Sequence, residues 1–183
     1  MLINTSQATL LVVDVQDKLI PAMTDPEGTV KRTEWLLKVC NELGIPVVFS
    51  EQYPKGLGAT LSVLKEAASS GLVVEKVHFS CVAGNCLPDS LFAREQVILC
   101  GIETHVCVLQ TALELLAQGK QVFVVEDATD CRSKYSHGLG IQRMRDAGAQ
   151  IVTREMVVFE ALQSASHEKF RAISKTFLVG EQP

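Results

Sequence analysis

The chain has 183 residues, of which 47% are hydrophobic and 21% charged, a length and balance that suit a domain with a substantial core and exclude a disordered chain. Its formal net charge of −4 comes without any basic run, so nothing in it is built to neutralise a nucleic-acid backbone. No apolar stretch approaches membrane-spanning length, and the N-terminus lacks the basic, apolar and small-residue pattern of a signal peptide.

In chain order, short apolar runs at 9–13, 46–50, 72–75, 96–100, 121–126 and 150–153 predict six strands. They are nearly continuous in apolar residues rather than alternating, as expected of strands buried on both faces of a parallel sheet. Between them, helical periodicity runs over 30–43, 106–118 and 137–147. Each of these helices stops at a glycine, Gly44, Gly119 or Gly148, which supplies the left-handed residue that ends a helix. Residues 51–70 are the least regular, with Pro54, Gly56 and Gly58 at the start and a short helix expected after Thr60. Residues 167–178 read as a closing helix. Alternating strands and helices imply right-handed crossovers, hence an α/β fold: a three-layer, Rossmann-like, open parallel six-stranded sheet with helices on both faces. No linker or second core interrupts the pattern, so residues 1–183 are expected to form a single domain.

The six cysteines, Cys40, Cys81, Cys86, Cys100, Cys107 and Cys131, include no CxxC pair. A chain with this much core does not need disulfides, so free thiols in a reducing, cytoplasmic setting are expected. For any one cysteine, the first expectation is a small buried hydrophobe.

Sites on an open parallel sheet form beyond the carboxyl ends of its strands. Asp14 follows the first predicted strand, Lys76 follows the third, and Cys107 lies shortly after the fourth. With Thr104 as helix cap, Cys107 would sit about one turn into a helix, where unpaired amides and the helix dipole favour a thiolate and could hold an oxyanion. On position alone it could equally be a packed cysteine. Asp14 could cap a turn or serve as a general base. Lys76 needs a partner other than Glu75, because consecutive strand residues point to opposite faces, and Asp14 is the candidate. A dyad of His105 with Cys107 fails, since residues two apart on a helix do not face each other. His78, His137 and His167 have no assigned role, Asp127 and Asp130 read as turn caps, and metal-ligand spacing is absent, so neither metal nor cofactor is expected.

Three segments, LLVVDVQDKL around Asp14, VVEKVHFSC around Lys76 and CGIETHVCVLQTALELLAQGKQVFVVEDA around Cys107, resemble the isochorismatase-like cysteine hydrolases. That superfamily includes nicotinamidases and N-carbamoylsarcosine amidohydrolases. The phrase SEQYPKGLG resembles its isochorismatase-domain-containing branch, whose substrates are obscure. The resemblance implies a catalytic triad of Asp14, Lys76 and Cys107. It also implies a cis peptide between Ile102 and Glu103, and an oxyanion hole from the backbone amides of Glu103 and Cys107. Nicotinamidases carry an Asp-x-His metal pair where this chain reads Glu51-Gln52-Tyr53, so Tyr53 departs from that pattern. Isochorismatases themselves do not require a cysteine at the place of Cys107, which favours thiol chemistry over vinyl-ether hydrolysis.

The expected activity is therefore hydrolysis of a C–N bond in a small amide, ureide or carbamoyl compound through a thioester. Tyr53, Phe79, Cys81 and His105 are candidates for the pocket wall. The expected partners are a small-molecule substrate and further copies of the chain in a homo-oligomer, with no nucleic acid and no membrane. Two alternatives are a ligand-binding or assembly module that keeps the triad without robust catalysis, and a nuclease, which no residue pattern supports.

Overall fold

A computed structural model describes residues 1–179. Six strands, β1 (Ala8–Val13), β2 (Val47–Gln52), β3 (Leu72–Lys76), β4 (Gln96–Ile102), β5 (Gln121–Asp130) and β6 (Gln150–Val152), form one sheet. All five pairings are parallel, in the order β3-β2-β1-β4-β5-β6. The chain thus winds outward in one direction from β1 to β3, then restarts at β4 and winds in the other. The crevice where the order reverses lies between β1 and β4, which is where ligands bind in sheets of this kind.

Alternate strand residues feed two cores. Leu10, Val12, Phe49, Ile98, Phe123 and Val125 pack against helices α1 (Pro26–Leu43), α7 (Arg154–Leu162) and α8 (Phe170–Ile173). Leu11, Val13, Val48, Val97, Leu99 and Val124 pack against α4 (Asp89–Phe92), α5 (Leu109–Ala117) and α6 (Lys134–Asp146). Burying each such side chain contributes about 1.5–3 kcal/mol, so both faces of the central strands stabilise the sheet. Two shorter helices, α2 (Pro54–Leu57) and α3 (Ser62–Ala67), fill the irregular segment between β2 and β3.

The predicted strands are all present, and the three glycines that end the predicted helices have positive φ, +72° at Gly44, +80° at Gly119 and +104° at Gly148. Other expectations need correction. Helix α1 starts at Pro26, not at residue 30, because Asp25 caps it by accepting the Gly28 amide at 3.1 Å, with Pro26 occupying the first helical position. Helix α7 had no counterpart in the sequence reading: Thr153, taken as the end of a strand, instead accepts the Met156 amide at 3.3 Å and opens a helix. The closing helix is a short α8 followed by a wide π-type turn over Ser174–Leu178, which places Phe177 edge-on to Trp35 at 5.8 Å between ring centroids.

Gly101, on the β4 side of the crevice, leaves no room for a side chain against β1. Its φ is +122°, and a Cβ there would lie 2.2 Å from the Val13 carbonyl oxygen, one residue before Asp14. Neither atom can move without opening β1 from β4. Gly101→Ala is therefore expected to cost about 3 kcal/mol through strained φ and clash, read as a lower urea midpoint. A midpoint equal to wild type would remove Gly101 from this role.

Candidate active site

Three non-glycine residues with left-handed backbone stand directly after strands: Asp14 (φ 56°) after β1, Tyr53 (φ 38°) after β2 and Glu103 (φ 55°) after β4. Such conformations cost about 1–3 kcal/mol each and cluster where a site needs a sharply turned backbone. Here they turn the chain off the sheet at the crevice.

Asp14 is fully buried, and both of its carboxylate oxygens are engaged. Ser50 Oγ donates to Oδ1 at 2.7 Å, and the Lys76 ammonium donates to Oδ2 at 2.7 Å. The Cys107 thiol lies close enough to the same carboxylate to feel its charge. Lateral strand register explains the gathering. Ser50 sits opposite Val13 across β1 and β2, and Lys76 opposite Gln52 across β2 and β3. Lys76 is buried while its neighbour Glu75 is exposed, as the alternation of strand side chains requires.

The ammonium of Lys76 has a second acceptor that the sequence reading did not single out. Gln52 Oε1 accepts from it at 2.7 Å. Gln52 is itself held: its amide nitrogen donates to Gln16 Oε1 at 2.7 Å, and its side chain donates to the Val77 carbonyl at 2.8 Å. Burial works against the Lys76 charge, but Asp14 and the thiols of Cys107 and Cys81 outweigh it and raise its pKa. Gln52→Leu would leave one ammonium proton without its acceptor. It is expected to cost about 1.5 kcal/mol of stability, the low end for a bond to a charged group because Gln52 is only half-buried. Urea unfolding measures this, and a change under about 0.3 kcal/mol would show that water replaces the amide.

Cys107 is 5% exposed. Desolvation and then the Asp14 carboxylate push its thiol up to about 12, against the opposing pull of Lys76, and the hydrogen bond to Asp14 and the Glu103 charge push the same way. These influences run against the thiolate that a helix start alone favours and hold the thiol toward its protonated form. The expected Thr104 cap also gives way. Thr104 Oγ1 instead donates to the Asp130 carbonyl at 2.8 Å, because Asp130 lies beside Ile102 in the β4–β5 register. The chain passes through left-handed Glu103 into a wide π-type turn, Thr104–Val108, and the α-helix proper begins at Leu109. Cys107 stands in that wide turn. The Ile102–Glu103 bond is trans, as are all peptide bonds among the described residues; Gly101 and Glu103, both at positive φ, make the turn that a cis bond was expected to make.

Of the four pocket-wall candidates, the fully buried Cys81 joins the cluster, with its thiol close enough to feel Asp14 and Lys76. Tyr53 lines a cavity of about 400 Å³ together with Lys55, Glu75, Lys76, Val77 and Gly84. Phe79 is half exposed and not part of that lining. The His105 ring faces the Glu103 carboxylate, with Nδ1 at 3.5 Å, and Glu103 is also paired with Arg132 at 2.7 Å. A wider depression of about 750 Å³, by Ile20, Pro26, Val30 and Leu61, is lined by no triad residue.

The segment matching the nicotinamidase metal pair does not fit a metal. Glu51 accepts the Thr60 amide at 2.7 Å and pairs with Lys65 at 3.1 Å, Gln52 serves Lys76, and Tyr53 projects outward. Among the described residues no group of three His, Cys, Asp or Glu side chains is placed to hold an ion.

An open parallel sheet with Asp, Lys and Cys converging at its switch point defines a Rossmann-like α/β hydrolase fold. The Isochorismatase domain family matches residues 8–156, and the chain belongs to that family. It is 39% identical to isochorismatase domain-containing protein 2A of Mus musculus over 91% of this chain and 80% of that protein. It is 34% identical to isochorismatase family protein 1B of Dictyostelium discoideum over 91% of this chain and 84% of that one. Among solved structures, the Caenorhabditis elegans protein described as MAR1 ribonuclease superposes with a TM-score of 0.92 at 35% identity, covering 100% of this chain and 95% of the other.

Proposed function

We propose that the chain is a cysteine-dependent hydrolase of a C–N bond in a small amide, ureide or carbamoyl compound. The observation that carries this is the Cys107 thiol set beside a buried carboxylate that holds a buried ammonium. Asp14 takes the thiol proton as sulfur attacks the substrate carbonyl carbon. The carbonyl oxygen, now an oxyanion, rests on the backbone N–H groups of Glu103 and Cys107, which the sharp turn after β4 supports in that role. Asp14 then gives its proton to the departing nitrogen, the C–N bond breaks, and a thioester remains. Water attacks the thioester, losing a proton to Asp14, which returns it to the Cys107 sulfur. Lys76 balances the charge on Asp14 and on the thiolate throughout, without itself exchanging a proton.

A cavity of about 400 Å³, lined by Lys76 but by neither Cys107 nor Asp14, lies beside the site. The reading includes a cytoplasmic setting, supported by six free cysteines, and a homo-oligomer, supported by exposed Tyr135 and Leu139 one turn apart on α6. The test is a screen of small amides, ureides and carbamoyl compounds for ammonia or amine release, with Cys107→Ser as the control. A substrate turned over by wild type and not by the variant is the expected result. Ligand binding without release would favour the binding module, and cleavage of RNA that survives Cys107→Ser would replace the amidohydrolase reading. The ribonuclease name belongs to the nematode relative; the net charge of −4 and the carboxylate beside the thiol both disfavour a phosphate backbone here.

A further inference from the structure

We propose that Cys81 and Cys86 form a second thiol site beside the triad, one that a peroxide converts into an intramolecular disulfide. The loop after β3 folds back on itself: the Gly84 amide donates to the Ser80 carbonyl at 3.0 Å, and Asn85, at φ +47°, turns the chain. Both the amide and the thiol of Cys86 then reach the Cys81 carbonyl at 3.4 Å. That contact holds the two cysteine backbones against each other, and a disulfide needs its Cα atoms within about 4.4–6.8 Å. The two thiols are near enough for each to shift the other's proton affinity.

Their surroundings divide the work. Cys81 is fully buried, whereas Cys86 is half-buried and reachable from solvent. The neighbouring Cys81 thiol holds the Cys86 thiol below its ordinary pKa; burial opposes this, and the Lys76 ammonium assists it. Cys86 is therefore the thiol with thiolate character, and it is exposed to oxidant. Its thiolate attacks the peroxide O–O bond, giving a sulfenic acid at Cys86 and releasing water once the second oxygen is protonated. Cys81 sulfur then attacks the Cys86 sulfur, its proton leaving with the hydroxyl as a second water, so two thiols and one peroxide yield one disulfide and two waters. Cys107, with its thiol pushed up to about 12 and little exposed, is the poorer target.

The loop is anchored for this. Glu114 on α5 accepts both the Ser80 hydroxyl at 2.7 Å and the Ala83 amide at 2.9 Å, and the Cys81 amide donates to Thr111 at 3.0 Å. A methyl group on Gly84 would come within 3.3 Å of the Lys76 Cβ, so the cross-link would form directly against the triad lysine.

The test needs no substrate, so it stands or falls separately from the proposed hydrolysis. The reduced full chain is treated with equimolar hydrogen peroxide, quenched with acid, alkylated with iodoacetamide under denaturing conditions and digested with trypsin. Residues 77–94 form one tryptic peptide containing Cys81, Cys86 and no other cysteine. The expected product is this peptide unalkylated and two hydrogens lighter, reverting to the doubly alkylated form after dithiothreitol, while the peptide carrying Cys107 stays alkylated. Cys86→Ser should abolish the mass loss. Full alkylation of residues 77–94 after peroxide, or a cross-link from either cysteine to Cys107, overturns the proposal, and the wild-type result alone decides it if the variant does not fold.

Discussion

Cys107→Ser is expected to lower turnover of any amide substrate by roughly 10⁴-fold or more while shifting stability by less than about 1 kcal/mol. The two effects separate because the side chain has two roles. Structurally, its thiol only fills a 5%-exposed position beside Asp14, which a serine hydroxyl fits with little change of volume. Chemically, the sulfur is the atom that must leave its proton behind and attack carbon, which an alkoxide of much higher basicity does poorly with a carboxylate as base. A residual rate within tenfold of wild type would exclude the thioester route.

The same thiol sets an alkaline limb of stability. Its folded pKa, about 12, lies above the ordinary thiol value of 9.0. The folded state therefore holds this proton more tightly than the unfolded state, so the associated stability is complete below pH 9 and is lost as pH rises toward 12. Replacing the thiol should flatten part of that fall. Alkylation of Cys107 should likewise be slow at neutral pH and rise about tenfold per pH unit, since only the thiolate reacts.

Sequence patterns fixed on the strands because buried parallel strands have to be apolar along their whole length. The ends were less legible. Strand β5 continues from the apolar run through Glu126 and Asp127 to Asp130, and no apolar signal marks residues whose pairing resumes after the irregularity between Leu99 and Gly101. Asp14, Lys76 and Cys107 could be picked out because each lies next to a strand end. Ser50 and Gln52 could not, because their contacts depend on which strand lies beside which. Only the order β3-β2-β1 puts Ser50 at Asp14 and Gln52 at Lys76. A helix-start argument considers only the local backbone, whereas burial and a carboxylate from another strand push the thiol the other way.

Lys76→Met is expected to destabilise the fold by about 3–5 kcal/mol and to abolish turnover, because it strands a buried carboxylate. The side chains of Asp14 and Lys76 are at most 1% exposed and 2.7 Å apart, so neither charge has water to fall back on. Methionine replaces the aliphatic length of lysine, which keeps the packing loss small and isolates the charge. Ser50 still donates to Asp14 in the variant, but it is not a cation. Asp14→Asn in the same background removes the charge by substitution. The double variant should therefore be more stable at pH 7 than Lys76→Met alone, a coupling that only an uncompensated charge produces. If the two losses simply add, the pair does not carry the site's electrostatics. Lys76 would then act through its contacts with Gln52 and the loop at Gly84 instead.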